Sequence, residues 1–167
     1  VIDLGGCRVL CGKNNAQNDW LTNRLAGKND IWFHVKGLPG PHVVLLCGGE
    51  EPPASDFTEA ANIAAVYSKA PRGQKTEVDY TRVKNIKKPP ASKPGYVTFS
   101  SNYSAVVTPD PDAAERLERE AETLPALFLR REGLSETSDA SDSPFSLKKL
   151  KKIRKKSGKP IDKCRNG

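Results

Sequence analysis

The stretch from Asp30 to Cys47 constrains the fold more than any other part of the chain. Ile31, Phe33 and Val35 alternate with Trp32, His34 and Lys36, which is the period of a strand. Gly37-Leu38-Pro39-Gly40-Pro41 then supplies a turn, with Pro39-Gly40 suited to its centre. His42 to Cys47 returns as a β-branched and leucine-rich strand. Paired as a hairpin closing at Lys36 opposite His42, one face holds Val35–Val43, Phe33–Leu45 and Ile31–Cys47. That face is wholly apolar and must be core. The other holds Lys36–His42, His34–Val44 and Trp32–Leu46. A one-residue slip would scramble both faces, so the sorting supports this register.

The remaining elements fit around that hairpin. Arg8 to Gly12 reads as a short strand, and Asn18 to Ala26 as a helix. Asn18 is its expected N-cap, Trp20, Leu21, Arg24 and Leu25 lie at helical spacing, and Gly27 stops it. Ser55 to Ala70 is a second helix, capped by Ser55 or Asp56. Its Ala60, Ala61, Ala64 and Ala65 make a thin face that can approach a sheet closely. Thr76 to Lys87 is extended but loses its alternation at Thr81-Arg82, which predicts a bulge. Tyr96–Phe99 and Tyr103–Val107 form an expected second hairpin across Ser100-Ser101-Asn102, with Val97, Phe99, Tyr103, Ala105 and Val107 inward. The predicted class is α+β: a compact, largely antiparallel sheet of two hairpins, packed with about two helices and followed by a flexible charged extension.

Charge divides the chain in three. Residues 1–109 carry a net +4, residues 110–143 a net −6, and residues 144–167 a net +9. This predicts a mildly basic domain, an acidic helical or disordered connector, and a basic tail. In the connector, Asp112 to about Arg131 has helix-forming composition with Leu117, Ala121 and Leu124 on one stripe, while Ser135–Ser143 has a disordered one. In the tail, Leu147, Leu150 and Ile153 recur at spacing three among lysines, a pattern for an amphipathic helix on a partner. The longest apolar run, Val43 to Cys47, is five residues, far short of the roughly 20 that span a membrane. No secretory leader pattern opens the chain, which starts at Val1 and holds no Met, so a piece of a longer protein is expected. Cys7, Cys11, Cys47 and Cys164 lack the paired half-sites of a zinc site and read as cytoplasmic thiols. No cofactor is implied.

Catalytic patterns are thin. His34 and His42 read equally well as hydrogen-bonded strand residues, and no G-x-S-x-G elbow occurs. Gly12-Lys13 lacks the rest of a phosphate-binding P-loop. Glu77 and Asp79 share a strand face with no base beside them. The expectation is a binding protein, not an enzyme.

For binding, Asn14, Asn15, Gln17 and Asn18 place four amides beside Lys13, able to read base edges, sugars or phosphates, or simply to cap the next helix. Trp32, His34 and Lys36, with His42 nearby, form either a platform for single-stranded RNA or a second core layer that buries Trp32. Arg82, Lys84, Lys87, Lys88 and Lys93 put five cations in twelve residues, a phosphate-tracking edge or a solubilising one. The alternative to RNA is a protein-interaction or membrane-surface adaptor working through the basic tail.

These segments together resemble the NFACT-R domain, the RNA-binding module of the NFACT family of ribosome-associated quality-control factors, bacterial members most of all. The resemblance rests on Gly12-Lys13-Asn14-Asn15-Ala16-Gln17-Asn18-Asp19, Asp30-Ile31-Trp32-Phe33-His34-Val35-Lys36 and Pro39-Gly40-Pro41-His42-Val43-Val44. It continues through Glu59-Ala60-Ala61, Tyr67-Ser68-Lys69-Ala70, Val78-Asp79-Tyr80-Thr81, Val83-Lys84, Lys87-Lys88-Pro89 and Lys93-Pro94-Gly95-Tyr96-Val97-Thr98. It implies tRNA or rRNA as partner, on a large ribosomal subunit that carries an obstructed peptidyl-tRNA. It also implies support for template-free alanine tailing of the stalled chain, an activity not assignable to this piece by itself. Pro41 stands where the family pattern has Ser, which removes one hydroxyl. The family domain ends near Val107-Thr108-Pro109, so the extension has no counterpart in it.

Overall fold

The computed structural model describes residues 1–4 and 6–119. Expectations for residues 120–131, Ser135–Ser143, Leu147–Lys156 and Cys164 lie outside the described residues. The chain divides into two units, Val1–Leu124 and Pro125–Gly167.

The fold is α+β, with three helices and a largely antiparallel sheet of six strands. In chain order the elements are β1 (Ile2–Asp3), β2 (Arg8–Cys11), α1 (Asn15–Trp20) continued by a π-helical turn (Leu21–Leu25), β3 (Ile31–Val35), β4 (Val43–Leu46) and α2 (Ala54–Val66). They continue with β5 (Thr76–Arg82), a 3-10 turn (Val83–Asn85), β6 (Ile86–Lys87), β7 (Thr98–Phe99), β8 (Tyr103–Val107) and α3 (Pro111–Arg119). The main sheet runs β1-β2-β4-β3-β5-β8, and β6 and β7 form a separate two-stranded ribbon. No described helix is long and apolar enough to cross a membrane.

The first hairpin forms with its two faces as expected, but its register differs. Ile31 pairs with Leu45, Trp32 with Val44 and Phe33 with Val43, a shift of two residues from the expected pairing. A two-residue shift leaves every side chain on its own face, so alternation cannot detect it. Ile31, Phe33, Val35, Val43 and Leu45 are buried. Against them lie Ile63 and the alanines Ala60, Ala61, Ala64 and Ala65 of α2, the small alanine side chains letting the helix settle close on the sheet. Neither Ser55 nor Asp56 caps α2; the Asp56 carboxylate instead accepts the backbone N–H of Cys7 at 3.0 Å.

Two other expectations are corrected. The break after Thr81 is not a bulge but the end of the sheet: Val83 N–H donates to Asp30 O and Lys84 N–H to Lys28 O. The chain therefore turns around the 27–30 loop. The second hairpin does not form. β7 pairs with β6, while β8 pairs with β5 from Thr76↔Val107 to Tyr80↔Tyr103. The five-pair ladder satisfies the long edge of β5, which a short local hairpin would have left unpaired. Tyr103, expected inward, is 67% exposed at the sheet margin.

α3 packs on α2. Ala113 and Ala114 are buried, and Asn62 and Asp110 exchange two hydrogen bonds of 3.0 and 2.7 Å. The Asp110 carboxylate caps α3 by accepting the Ala113 N–H.

Candidate nucleic-acid interface

The amide segment folds as a helix start four residues earlier than expected. Asn14, extended at φ −159°, is the N-cap, and its side chain accepts the Gln17 N–H at 2.9 Å. Gln17 in return accepts the Lys13 N–H at 2.9 Å. The two satisfy the open helix end reciprocally, in the manner of a capping box. Asn18 is not a cap. It is buried within α1, and its Oδ1 accepts the His42 N–H at 3.1 Å. Gly12 makes room for that amide, since a Cβ there would lie 2.1 Å from Asn18 Oδ1. Of the four amides, Asn15 is the one that faces solvent.

The second sheet face carries Leu10, Val44 and Trp32, buried with Leu21 but outside the α2-side core. Of the two arrangements open for Trp32, the structure has the covered one: the residue is 2% exposed. His34 stacks on it at 5.6 Å, His42 meets it edge-on at 5.2 Å, and Phe99 closes it at 5.9 Å. Its indole N–H is buried without a hydrogen-bond partner among the described residues, so packing alone holds the ring. The π-helical turn carries Thr22 inward, and its hydroxyl lies 2.8 Å from His42 Nδ1. Burial, and then the neighbouring His34, push His42 down to about 4, against the pull of the Gly95 backbone and Asp19. Burial lowers His34 as well. Both rings are therefore neutral at pH 7. His34 remains half-buried, with part of its ring toward solvent.

The expected cations divide into paired and open groups. Lys13 bonds Glu118 at 3.0 Å, Lys36 bonds Glu77 at 2.5 Å, and Lys88 bonds Asp19 at 2.5 Å. Arg82 joins Glu51 at 2.9 Å and the Asn29 carbonyl at 2.6 Å. Lys84, Lys87 and Lys93 are exposed, with no ion pair among the described residues. No described group of His, Cys, Asp or Glu is placed to hold a metal ion.

The structure brings the amide segment and the cationic run together. Asp19 of α1 accepts both Lys88 Nζ and the Gly95 N–H, the latter at 3.2 Å. Gly95 lies against Asn15, where an added Cβ would come within 3.2 Å of the Asn15 carbonyl oxygen. This clamp sets exposed Asn15, Tyr96 (57% exposed) and Lys93 on neighbouring segments. Tyr96, Asp19 and Thr22 were not singled out from sequence. The Pro94-Gly95 turn signal before Tyr96 was the available clue, obscured because Tyr96 reads as the first residue of a strand.

Residues 3–101 match the family model described as the NFACT protein RNA-binding domain. Over 114 residues the chain is 46% identical to the Rqc2 homolog RqcH of Bacillus subtilis, covering 68% of this chain and 20% of that protein. It is 42% identical to the Rqc2 homolog RqcH of Streptococcus suis, covering 62% and 19%. The chain thus spans about a fifth of these relatives. Among solved structures it resembles the C-terminal part of the fibronectin/fibrinogen-binding protein from Streptococcus suis. The TM-score is 0.65 at 38% identity, over 70% of this chain and 47% of that one.

Proposed function

The chain belongs to the family of NFACT protein RNA-binding domains, and from that membership we propose that it grips tRNA or large-subunit rRNA within a ribosome-associated quality-control factor acting on stalled nascent chains. Its work in this reading is binding, not catalysis, in the cytoplasm and on a large subunit that retains peptidyl-tRNA. The observation that carries the proposal is the Asp19–Lys88–Gly95 clamp, which joins the amide helix start to the cationic run. Phosphates are met by the open cations Lys84, Lys87 and Lys93, whereas Arg82, Lys88, Lys36 and Lys13 hold the surface in shape through their carboxylate partners. Trp32, His42, Gln17 and Asn18 support the site from below; Asn15 and the open edge of His34 are the groups RNA can reach.

The test is binding of tRNA and of large-subunit rRNA fragments across a salt series. A Lys84→Glu/Lys87→Glu double variant is expected to weaken binding to all sequences alike and to lower the log–log salt slope by about 1.5 to 2 units. The effect should persist in a chain ending at Leu124, whereas an adaptor working through residues 144–167 would lose all binding there. Unchanged affinity in the folded double variant would remove these lysines from any RNA interface.

A further inference from the structure

Lys93, Pro94, Gly95 and Tyr96 form a β-turn closed by the Tyr96 N–H on the Lys93 carbonyl at 3.1 Å. Pro94 at its second position and Gly95 at φ +79° make it type II, a conformation that side-chain-bearing residues resist at the third position. A turn of this kind holds its end residues within about 7 Å of each other. Here those ends are an ammonium and a phenol ring, both exposed.

The turn is fixed to the domain at two points. Gly95 N–H donates to Asp19, and Gly95 rests on the first residue of α1. That first residue is Asn15, whose amide faces solvent beside the turn. An exposed ring on a clamped turn loses little freedom when something stacks on it, so a contact there is not offset by ordering cost.

Resting on the RNA-binding reading above, we propose that Tyr96, Lys93 and Asn15 form a subsite for one unpaired nucleotide. The base stacks on the Tyr96 ring, Lys93 meets a neighbouring phosphate, and the Asn15 amide bonds the base edge or ribose. Each group supplies what a nucleotide presents: a π-face, an anion, and mixed donors and acceptors. In a duplex the base faces are already stacked, so the subsite selects single-stranded or looped RNA.

The experiment compares the full chain with Tyr96→Ala, Tyr96→Phe and Lys93→Gln variants. The probes are a short single-stranded oligoribonucleotide and a blunt RNA duplex of equal length, with thermal midpoints as the folding control. Tyr96→Ala is expected to lose about 5- to 150-fold in affinity for the single strand, the worth of one base–aromatic stack, with duplex binding unchanged. Tyr96→Phe should keep wild-type affinity, and Lys93→Gln should lower the salt slope by about 0.7. Equal losses in Tyr96→Phe and Tyr96→Ala would overturn stacking. Wild-type single-strand binding by Tyr96→Ala, while Lys84→Glu/Lys87→Glu weakens both probes, would overturn the subsite and leave the RNA reading standing. A wild-type chain that binds neither probe would overturn that reading itself.

Discussion

His42 is held at two points, since Asn18 takes its backbone N–H and the Thr22 hydroxyl meets its ring, and its ring packs edge-on against Trp32. Such a residue ties the stability of the domain to pH. An unfolded imidazole takes a proton near pH 6.5, whereas the buried one refuses it until about pH 4. Between those values the unfolded chain binds more protons, so stability is complete above pH 6.5 and falls as the solution is acidified. The gap corresponds to a loss of roughly 3 kcal/mol by pH 4, and the lowered His34 pushes the same way. Asp19, salt-bridged to Lys88, is the nearest opposing charge and reduces the shift without reversing it. Denaturant titrations of wild type and His42→Gln over this range are the check. A variant with an unchanged slope would place the titrating group elsewhere. Residue type was legible at such positions and role was not: an amide or imidazole suited to RNA is equally suited to a buried hydrogen bond. Which of the two occurs depends on what packs above it.

At the scale of elements, alternation fixed faces and left register open. The Ile31, Phe33, Val43 and Leu45 face is core under either of two registers, and the longer loop between the strands admits the observed one. The same shift brings His34 level with His42, whose rings lie 5.7 Å apart. The second hairpin failed for a different reason. Local spacing proposed a partner for β8, while the long edge of β5 offered a better one that sequence proximity does not reveal. α3 shows how a charge boundary and a packing boundary diverge. The acidic stretch begins at Asp110, yet Asp110 is bonded to Asn62, Ala114 is 1% exposed, and Glu118 accepts the Tyr67 hydroxyl at 2.7 Å. Ending the chain at Pro109 should therefore leave the Asn62 amide unpaired and uncover α2, destabilising the domain by about 2 to 4 kcal/mol. Ending it at Leu124 should leave stability unchanged. Urea midpoints of the two truncations decide this, and equal midpoints would show that α3 adds nothing to the fold.

Across the whole molecule, the charge that suggested nucleic acid is not where the shaped surface lies. Residues 1–124 hold 15 Lys and Arg against 15 Asp and Glu, so the formal net charge of +7 belongs entirely to residues 125–167. Within the described residues, several cations are matched by carboxylates on neighbouring segments, leaving an open group of lysines on a surface whose formal net charge is only +2. In the proposed reading, long-range attraction and local recognition of RNA are thereby separated along the chain. Attraction depends on net charge and sets how often RNA is met; recognition depends on placed groups and sets how long it stays. Removing residues 125–167 should lower the association rate with tRNA by tenfold or more at low salt and reduce the salt slope by several units. The proposed preference for single strand over duplex, and its expected loss in Tyr96→Ala, should survive that removal, because neither rests on net charge. Association rates measured by stopped flow at two salt concentrations separate the effects. An unchanged rate in the shortened chain would mean that the lysines of the domain attract RNA without the tail. A preference that vanished with the tail would mean that residues 125–167 take part in recognition.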